Sequence, residues 1–292
     1  MTLCTGRLRL CLALAATCLV AGGQPEAAPS TRADSKPTRI VSMNLCVDEL
    51  VLRLADRQQI AAVTWLAQDP RGSTVAAEAE GIPQTRGLSE EIIALEPDLV
   101  IAGAFTTRQT VARLKRVGFA PMELGLPNDF AAVRGQIRTV ADAVGHPERG
   151  EAMIADLNDK LAAVPAVEER RPLRALVMRP NAFTVAPGTL GDAIIRAAGL
   201  VNVAAEIGRD RSGQVPLEAA VLADADLVVL DDAGRGTPSL ADALLHHPIL
   251  ARLRREGRTI SIPNRLWTCP GPQIAEVVAL LAAAARARAA LP

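Results

Sequence analysis

The stretch SEEIIALEPDLVI, residues 89–101, is the strongest indication of the fold, because it recurs as LEAAVLADADLVV at residues 217–229. The second copy begins 128 residues after the first (217 − 89 = 128), so that Glu90 matches Glu218. In each copy a short helical pattern leads into a continuous apolar run, which is typical of a buried parallel strand. A solenoid needs at least three repeats. The two copies therefore predict two related lobes rather than an array.

Short apolar runs alternate with helical patterns on both sides of each copy. In the first half the predicted strands are residues 39–42, 60–64, 98–102 and 119–124, and the predicted helices are 47–55, 89–95, 107–117 and 129–144. In the second half the predicted strands are 174–178, 183–185, 226–230 and 258–262, and the predicted helices are 189–198, 216–222, 239–245 and 271–290. Such alternation indicates crossover units on a parallel sheet. The predicted fold class is therefore α/β, with two Rossmann-like lobes that each hold a central parallel sheet.

A further helical pattern separates the two halves. Pro147 suits the first position of a helix, where its missing N–H costs nothing. Met153, Leu157 and Leu161 follow at helical spacing. A helix of this length bridges two small domains, although one more packed helix would show the same periodicity. We expect an N-terminal lobe at residues 39–146, one long linker helix at 147–171 and a C-terminal lobe at 172–292.

The first residues have the pattern of a targeting segment. Arg7 and Arg9 precede an apolar run at residues 10–20, and small residues follow it. This is the pattern of a secretory signal peptide, whereas an uncleaved anchor would need about 20 apolar residues. We predict a signal peptide at residues 1–23 and a flexible leader rich in Pro, Ala and Ser at residues 24–38. The mature protein is then expected in the periplasm.

Composition excludes several classes of function. Hydrophobic residues make up 49% of the chain, which is enough for sizeable cores and argues against disorder. Lys+Arg and Asp+Glu are both 32, so no basic excess exists to bind nucleic acid. The chain has no Tyr, only three His and 2% aromatic residues. These counts disfavour a Tyr-ligated haem, a His-rich metal cage and stacking platforms for bases or sugars.

Four segments together resemble a known family. They are RIVSMNLCVDELVLRLAD at residues 39–56, LSEEIIALEPDLVIAG at 88–103, PGTLGDAIIRAAGLVNVA at 187–204 and LEAAVLADADLVVLDD at 217–232. In this order and spacing, the chain from Arg39 onward resembles the periplasmic substrate-binding proteins of ABC importers for cobalamin, haem and iron–siderophore complexes. The resemblance implies two α/β lobes, a single rigid linker helix and a ligand cleft between the lobes.

Ligands of open α/β sheets bind beyond the carboxyl ends of the strands, which places the cleft at the loops that follow them. Trp65, Phe105 and Trp267 would form its walls, although either Trp could instead fill a core. Asn44, Arg179 and Arg265 would orient the ligand. By resemblance, residues 208–213 are also a cleft loop. The expected ligand-binding set is Asn44, Cys46, Trp65, Leu66, Phe105, Thr106, Arg179, Asn181, Arg211, Ser212, Arg265, Trp267, Thr268 and Cys269.

Cys46 and Cys269 are the two cysteines left after removal of the signal segment. By resemblance each lies on a loop that faces the cleft, one in each lobe. Export to an oxidising compartment favours a disulfide between them, which would restrict opening. Two thiols that touch the ligand or a soft metal, and two unrelated free cysteines, are the alternatives.

Glu90 and Glu218 occupy the same place in both repeats, near the start of a short predicted helix. The helix dipole favours an acid at such a position in any helix. In the resembling family, one glutamate on each lobe docks on arginines of the membrane permease. We therefore expect Glu90 and Glu218 to contact an ABC permease dimer.

The sequence as a whole predicts a monomeric receptor rather than an enzyme. It has no resident cofactor or metal, and it carries a bulky metal complex, either cobalamin or a ferric siderophore, to an ABC importer. No Ser-His-Asp order, HExxH motif or phosphate-binding loop is present. The alternative is an exported α/β redox protein or enzyme that uses Cys46 and Cys269.

Overall fold

A computed structural model describes residues 36–167, 171–208, 212–232 and 243–290. The predicted signal peptide, most of the leader, Arg211 and part of the helix predicted at 239–245 lie outside the described residues. None of the described helices is both long and apolar enough to cross a bilayer.

In the N-terminal half, five described strands form a parallel sheet in the order β3-β2-β1-β4-β5. The strands are β1 (Ile40–Ser42), β2 (Ile60–Thr64), β3 (Gln84–Thr85), β4 (Leu99–Ala102) and β5 (Met122–Glu123). The helices of this half are α1 (Leu45–Leu54), α2 (Ser89–Ala94), α3 (Arg108–Arg116) and α4 (Phe130–Val144). A buried apolar cluster on each face of the sheet packs it against these helices.

Helix α5 (Pro147–Ala162) follows α4 after a break at Gly145, which ends α4 with a φ of 81°. Gly150 of α5 lies so close to Ala141 of α4 that an added Cβ would stand 2.5 Å from the Ala141 Cβ. The side chain of Arg149 donates to Asp56 at 2.6 Å and ties α5 to the N-terminal half. Helix α5 is therefore packed firmly against the first sheet's helices.

The C-terminal half holds a second parallel sheet, whose described strands run in the order β11-β10-β6-β8. Its strands are β6 (Leu173–Met178), β8 (Leu200–Asn202), β10 (Leu227–Asp232) and β11 (Thr259–Pro263), and β7 (Phe183–Thr184) pairs antiparallel with β9 (Gly213–Gln214). The helices are α6 (Leu190–Ala197), α7 (Leu217–Leu222), α8 (Pro248–Arg255) and α9 (Ile274–Ala289). The prediction of an α/β fold with two parallel-sheet lobes is confirmed.

The internal repeat extends to the strand order. The order β2-β1-β4-β5 in the first sheet corresponds to β8-β6-β10-β11 in the second. Glu96 and Asp224, 128 residues apart (224 − 96 = 128), both adopt a left-handed backbone, with φ of 46° and 44°. Each residue lies in the turn that leads from a repeat helix into its strand. The two copies therefore share a backbone path as well as a sequence pattern.

Asp98 and Asp226, matched by the same repeat, perform the same structural task. Asp98 accepts a hydrogen bond from the backbone N–H of Arg39 at 2.9 Å, and Asp226 accepts one from the backbone N–H of Arg174 at 2.8 Å. Burial alone would raise the pKa of each carboxyl, but hydrogen bonds to the charged form outweigh it and hold both pKa values below the usual range. Each carboxylate therefore fastens the start of its lobe's central strand.

The structure differs from the predicted elements where the sequence signals are weakest. The predicted linker helix at 147–171 ends at Ala162, nine residues early (171 − 162 = 9), because Ala163 closes the last turn and Pro165 cannot continue it. The predicted strand at 183–185 lies outside the main sheet, in the two-stranded ribbon. The described part of the helix predicted at 239–245 is a 3-10 turn.

One apolar core crosses both halves. It includes Ile40 of the first sheet, Ile154 and Leu157 of α5, and Val229 of the second sheet. Helix α9 contributes Val278 and neighbouring residues to the same cluster. Helices α5 and α9 are therefore the packed connection between the two sheets.

Candidate functional site

The loops that follow the strands of both sheets border one crevice. Cys46 lies in the first turn of α1, directly after β1, and Cys269 lies in the segment after β11. Their Sγ atoms are within bonding distance and their Cα atoms are 4.9 Å apart. The carboxyl edges of the two sheets therefore meet, as the rule for ligand sites in open α/β sheets requires.

A buried polar cluster forms the C-terminal wall of the crevice. The guanidinium of Arg179, directly after β6, lies over the Trp267 ring with 4.8 Å between its Cζ and the ring centroid. Asp231, near the end of β10, accepts hydrogen bonds from Trp267 Nε1 at 3.3 Å and from Asn264 Nδ2 at 2.9 Å. Its carboxylate is 3.6 Å from Arg179 Nε. The Trp267 ring and the Asp231 carboxylate thus hold the guanidinium in one orientation, and the Asn264 amide holds the carboxylate.

The charge of this cluster is balanced. Asp231 is buried and paired with Arg179, whose side chain is 30% exposed. Burial lowers the pKa of Arg179, and the charge of Asp231 opposes that shift. The pair offers a ligand oriented N–H donors with little net charge.

Arg179 and Trp267 line a cavity of about 250 Å³. The N-terminal half contributes the segment after β5, and the C-terminal half contributes residues around the start of α6 and after β11. The lining residues are Leu126, Pro127, Asn128, Arg179, Val185, Gly188, Thr189, Leu190, Gly191, Ile194, Ser212, Trp267, Thr268 and Pro270. Among these described residues, Arg179 alone carries a formal charge. The described lining is therefore apolar with hydroxyl, amide and guanidinium donors, and Arg179 is its one formal charge.

The N-terminal rim uses its polar side chains to fix the loops. Asn44 caps α1 by accepting from the backbone N–H of Cys46 at 2.9 Å. A Cβ on Gly103 would stand 2.9 Å from the Asn44 side chain, so the close approach of the loop after β4 requires glycine. The hydroxyl of Thr106 accepts from the Gly103 N–H at 2.9 Å. The side chains of Asn44 and Thr106, which were predicted to contact ligand, therefore accept hydrogen bonds from the loop backbone.

Large apolar side chains stand exposed on the same rim. Trp65 is 51% exposed and Leu66 37%, both directly after β2. Phe105, after β4, is 77% exposed, and Leu126, after β5, is 63% exposed. Exposed apolar side chains grouped in this way mark binding surfaces more often than isolated ones do. The rim therefore offers apolar area to a ligand larger than the cavity.

The two tryptophans, both predicted to supply wall area to the cleft, line different concavities. Trp65 lies with Arg86 and Glu91 at a separate concavity of about 550 Å³. Trp267 is only 5% exposed and belongs to the apolar core. It therefore lines the cavity, as predicted, and also fills the core, which was the alternative. Its indole N–H is committed to Asp231.

Other predicted residues fall in different places. Arg265 lies in a 3-10 turn and lines another groove, away from Arg179. Asn181 is exposed with a φ of 57°. The Ser212 hydroxyl accepts from the Ala186 N–H at 3.2 Å and reaches the cavity, whereas Arg211 lies outside the described residues.

Sequence reasoning missed three contributors to the site. The segment 126–128 follows β5, so the rule of strand carboxyl ends would have found it. The same rule applied to the end of β10 covers Asp231, which the expected ligand-binding set left out. The role of Asn264 depends on the 3-10 turn after β11, for which the sequence has no distinct signal.

A polar bridge next to the cysteines separates the cavity from a second groove. Gln273 Nε2 donates to Glu49 Oε2 across the two halves at 3.0 Å and to the Cys269 carbonyl at 2.9 Å. Beyond this bridge lies an open groove of about 1230 Å³, bordered by α5 and including Arg53 and Arg265. We call the Cys46–Cys269 contact with the Glu49–Gln273 hydrogen bond the septum.

Asp48 lies beneath the crevice, fully buried in the first turn of α1. It accepts hydrogen bonds from the backbone N–H of Thr64 at 3.0 Å and from the Thr64 hydroxyl. Burial raises the pKa of Asp48 to about 7, although these hydrogen bonds oppose the shift. Asp48 therefore titrates near neutral pH and links the end of β2 to α1.

Glu90 and Glu218 lie in the first turns of α2 and α7, and both are exposed. Glu90 forms an ion pair with Arg113 at 2.9 Å. A hydrogen bond from its own backbone N–H, the hydroxyl of Ser89 and the charge of Arg113 hold the pKa of Glu90 below its usual value. Both side chains are exposed and accessible to a partner.

The described residues contain no group of three or more His, Cys, Asp or Glu side chains that could hold a metal ion.

Comparisons with known proteins agree with this architecture. The sequence profile described as "Periplasmic binding protein" matches residues 40–266. A protein of Halobacterium salinarum named "Cobalamin-binding protein" is 27% identical over 258 residues, covering 85% of this chain and 69% of that protein.

Solved structures share the fold. The apo periplasmic heme-binding protein RhuT from Roseiflexus sp. RS-1 superposes with a TM-score of 0.72 at 26% identity, covering 86% of this chain and 98% of that one. The periplasmic vitamin B12 binding protein BtuF of Vibrio cholerae gives a TM-score of 0.66 at 17% identity, over 88% and 99% of the two chains. At that identity, the second likeness shows the fold alone.

Proposed function

Because the chain belongs to the periplasmic binding protein family, we propose that it is the exported receptor of an ABC importer and that it captures a corrinoid such as cobalamin between its lobes. The observation that carries this proposal is the described lining of the cavity at the crevice, which is apolar and has one formal charge, Arg179, paired with Asp231. The similarity to a protein named as cobalamin-binding supports it. A ferric siderophore and haem become outcomes of the test.

Charge distinguishes the candidate cargoes. Haem carries two carboxylates, and burying them requires cations that are not already paired. The one charged residue among the described lining residues, Arg179, already faces Asp231. A corrinoid rim carries neutral carboxamides, whose carbonyl oxygens accept from Arg179, Asn128 and Ser212 without adding charge. The cavity therefore suits amides better than carboxylates.

Size determines how the cargo would lie. The cavity of about 250 Å³ is below the roughly 300–1,000 Å³ of pockets that enclose drug-sized ligands. Only one edge of a corrinoid would enter it, with carboxamides against the Arg179 cluster. The ring would then lie on the rim, against the exposed side chains of Phe105 and Leu126. Such a pose uses both the polar cavity and the apolar rim.

Delivery and export complete the proposal. Residues 1–23 act as the signal peptide, and the mature receptor works in the periplasm as a carrier rather than an enzyme. Glu90 and Glu218, one exposed glutamate in each lobe, dock on a permease dimer. Cys46 and Cys269, with Cα atoms 4.9 Å apart, form a disulfide there, since this separation lies within the range that a disulfide bridges.

The test is a calorimetric titration of the mature protein with cyanocobalamin, haem and several ferric siderophores. We expect one cyanocobalamin bound per chain, more tightly than haem or any siderophore. Arg179→Met should weaken that binding, whereas Arg138→Met, on α4 and paired with Glu151, should not. Tighter binding of haem or a siderophore would contradict the corrinoid assignment, and binding of a sugar or amino acid instead would contradict the class of cargo.

A further inference from the structure

The septum is the structural feature that the proposed function does not yet use. Cys269 is buried, and Cys46 lies beside the Thr268 carbonyl, with 3.8 Å from its Sγ to that oxygen. The contact joins residues separated by 223 positions in the chain, and it joins the start of α1 in one half to the segment before α9 in the other. A covalent bond at this point ties the two lobes to each other.

A buried hydrogen-bond bridge flanks the cysteines. Glu49 is only 2% exposed, and each of its carboxylate oxygens has a partner. Oε1 accepts from the Thr74 N–H of the same half at 3.0 Å, and Oε2 accepts from Gln273 of the other half at 3.0 Å. Gln273 also donates to Cys269. The carboxylate, the amide and the two cysteines therefore act as one unit across the lobes.

The septum lies where it can limit how far the cavity opens. Helix α5 is the chain connection between the halves, and the open groove that includes Met153, Asp156 and Gln273 lies between α5 and the septum. The cavity that includes Thr268 lies on the other side of the septum. A rotation of one lobe about α5 would widen the cavity only by pulling the septum apart. The septum is thus placed where a bond would limit opening most directly.

We propose that Cys46 and Cys269 form a redox-dependent lobe lock. Oxidised, the lock holds the carboxyl edges of the two sheets at one spacing and pre-organises the cavity for cargo. Reduced, it leaves the Glu49–Gln273 hydrogen bond and the weak contact of Cys46 Sγ with the Thr268 carbonyl across the septum, and the lobes open about α5. For its cargo readout the proposal rests on the proposed function, but the lobe spacing does not depend on what the cargo is.

The chemistry of the lock is a two-electron exchange. The two thiols lose two protons and two electrons as the S–S bond forms, and the disulfide of an exported thiol oxidase accepts both and becomes a dithiol. In the test, dithiothreitol reverses the step by giving up two electrons and two protons and closing to its cyclic disulfide. The S–S bond breaks and two protein thiols form.

The expected effect on affinity follows from the closed fraction. An apparent dissociation constant rises in inverse proportion to the fraction of molecules that are competent to bind. An unlocked protein that is closed about one tenth of the time would bind cargo about tenfold more weakly than the locked protein. Dissociation should become faster by a similar factor, since opening precedes release.

The test compares four samples of the mature protein by small-angle X-ray scattering without ligand and by cyanocobalamin titration. They are the oxidised protein, the same protein in dithiothreitol, and Cys46→Ser/Cys269→Ser with and without dithiothreitol. Reduction should increase the radius of gyration and weaken binding about tenfold. The double variant should match the reduced protein and ignore the reductant, which controls for other effects of dithiothreitol. Adding Gln273→Ala should open the lobes further.

Equal scattering profiles and equal affinities for the oxidised and reduced protein would overturn the lock, whatever the double variant does. Should cyanocobalamin bind none of the samples, the corrinoid assignment fails while scattering still decides the lock. Should the serine variant fail to fold, reduction of the unaltered protein gives the same comparison.

Discussion

Replacing Asp48 by Asn tests whether burial beneath the crevice controls stability near neutral pH. Asp48 is fully buried, and burial raises its pKa from 3.8 to about 7, with the neighbouring charge of Glu49 adding to the shift and hydrogen bonds from Ser42 and Thr64 opposing it. The folded protein therefore keeps a proton on Asp48 at pH values where the unfolded chain has lost it. Asn is neutral at every pH, accepts from the Thr64 N–H and has nearly the same shape.

The sign follows from proton linkage. Because the pKa of Asp48 is higher in the folded state, the stability that it contributes is fully present below about pH 4 and is lost as pH rises through about 7. The size is the pKa difference, about 3 units, multiplied by 1.36 kcal/mol, which gives about 4 kcal/mol. That is a large share of the roughly 5–15 kcal/mol that stabilises a typical protein.

The assay is urea unfolding of the natural and Asp48→Asn proteins at a series of pH values from 4 to 8. The variant should gain on the natural protein by about 4 kcal/mol across the series, with most of the gain between pH 4 and 7. Asp98→Asn is the matched control: the pKa of Asp98 is lowered, so its contribution is lost only as pH falls below about 4, and its difference from the natural protein should stay constant across this series. A constant difference between the natural protein and Asp48→Asn over the whole series would refute the reasoning.

Three further outcomes are expected. Arg179→Met should weaken cyanocobalamin binding about 10- to 100-fold, the cost of one charge-assisted hydrogen bond of roughly 1.5–3 kcal/mol, as measured by calorimetry; an unchanged Kd would remove Arg179 from the site. Glu90→Ala and Glu218→Ala should each weaken permease binding by about 0–1 kcal/mol, and the double variant more, while cargo affinity stays constant; loss of cargo binding with normal docking would instead make these glutamates cleft residues. Unreduced peptide mass spectrometry of the periplasmic protein should show Cys46 linked to Cys269, and two freely alkylated thiols would contradict the disulfide.

Much of the fold was predictable because it depends on local patterns and repetition. Continuous apolar runs before polar loops gave the central strands, and the match of residues 89–101 to 217–229 gave two related halves. That match also pairs Asp98 with Asp226, and the structure assigns both to the same task of fastening a central strand. Local chemistry of this kind is encoded within a few residues and needs no tertiary information.

The missed elements are those that tertiary contacts decide. Strands β3 and β9 span two residues each, too short for any periodicity to show. Ala163 and Pro165 end α5 well before the end of the predicted linker, where the helical pattern had been extended too far. The strand at Phe183 forms because a segment 31 residues later pairs with it (Phe183↔Gln214).

The candidate site was predictable in position and less so in detail. The rule of strand carboxyl ends selected Arg179, Trp267 and Thr268, which the structure places at one cavity. It also selected Arg265, only two residues before Trp267. The 3-10 turn at residues 264–266 directs that side chain to the opposite groove, and sequence spacing alone cannot distinguish the two directions.

Capture of a corrinoid between the lobes can be measured by hydrogen–deuterium exchange of the mature protein with and without cyanocobalamin. Bound cyanocobalamin should slow exchange on both sides of the crevice at once. The protected segments should be residues 103–106 and 124–128 of one lobe and 185–191 and 267–270 of the other. The groove between α5 and the septum should exchange at an unchanged rate. Protection confined to one lobe, or protection in that groove with none at the crevice, would contradict capture between the lobes.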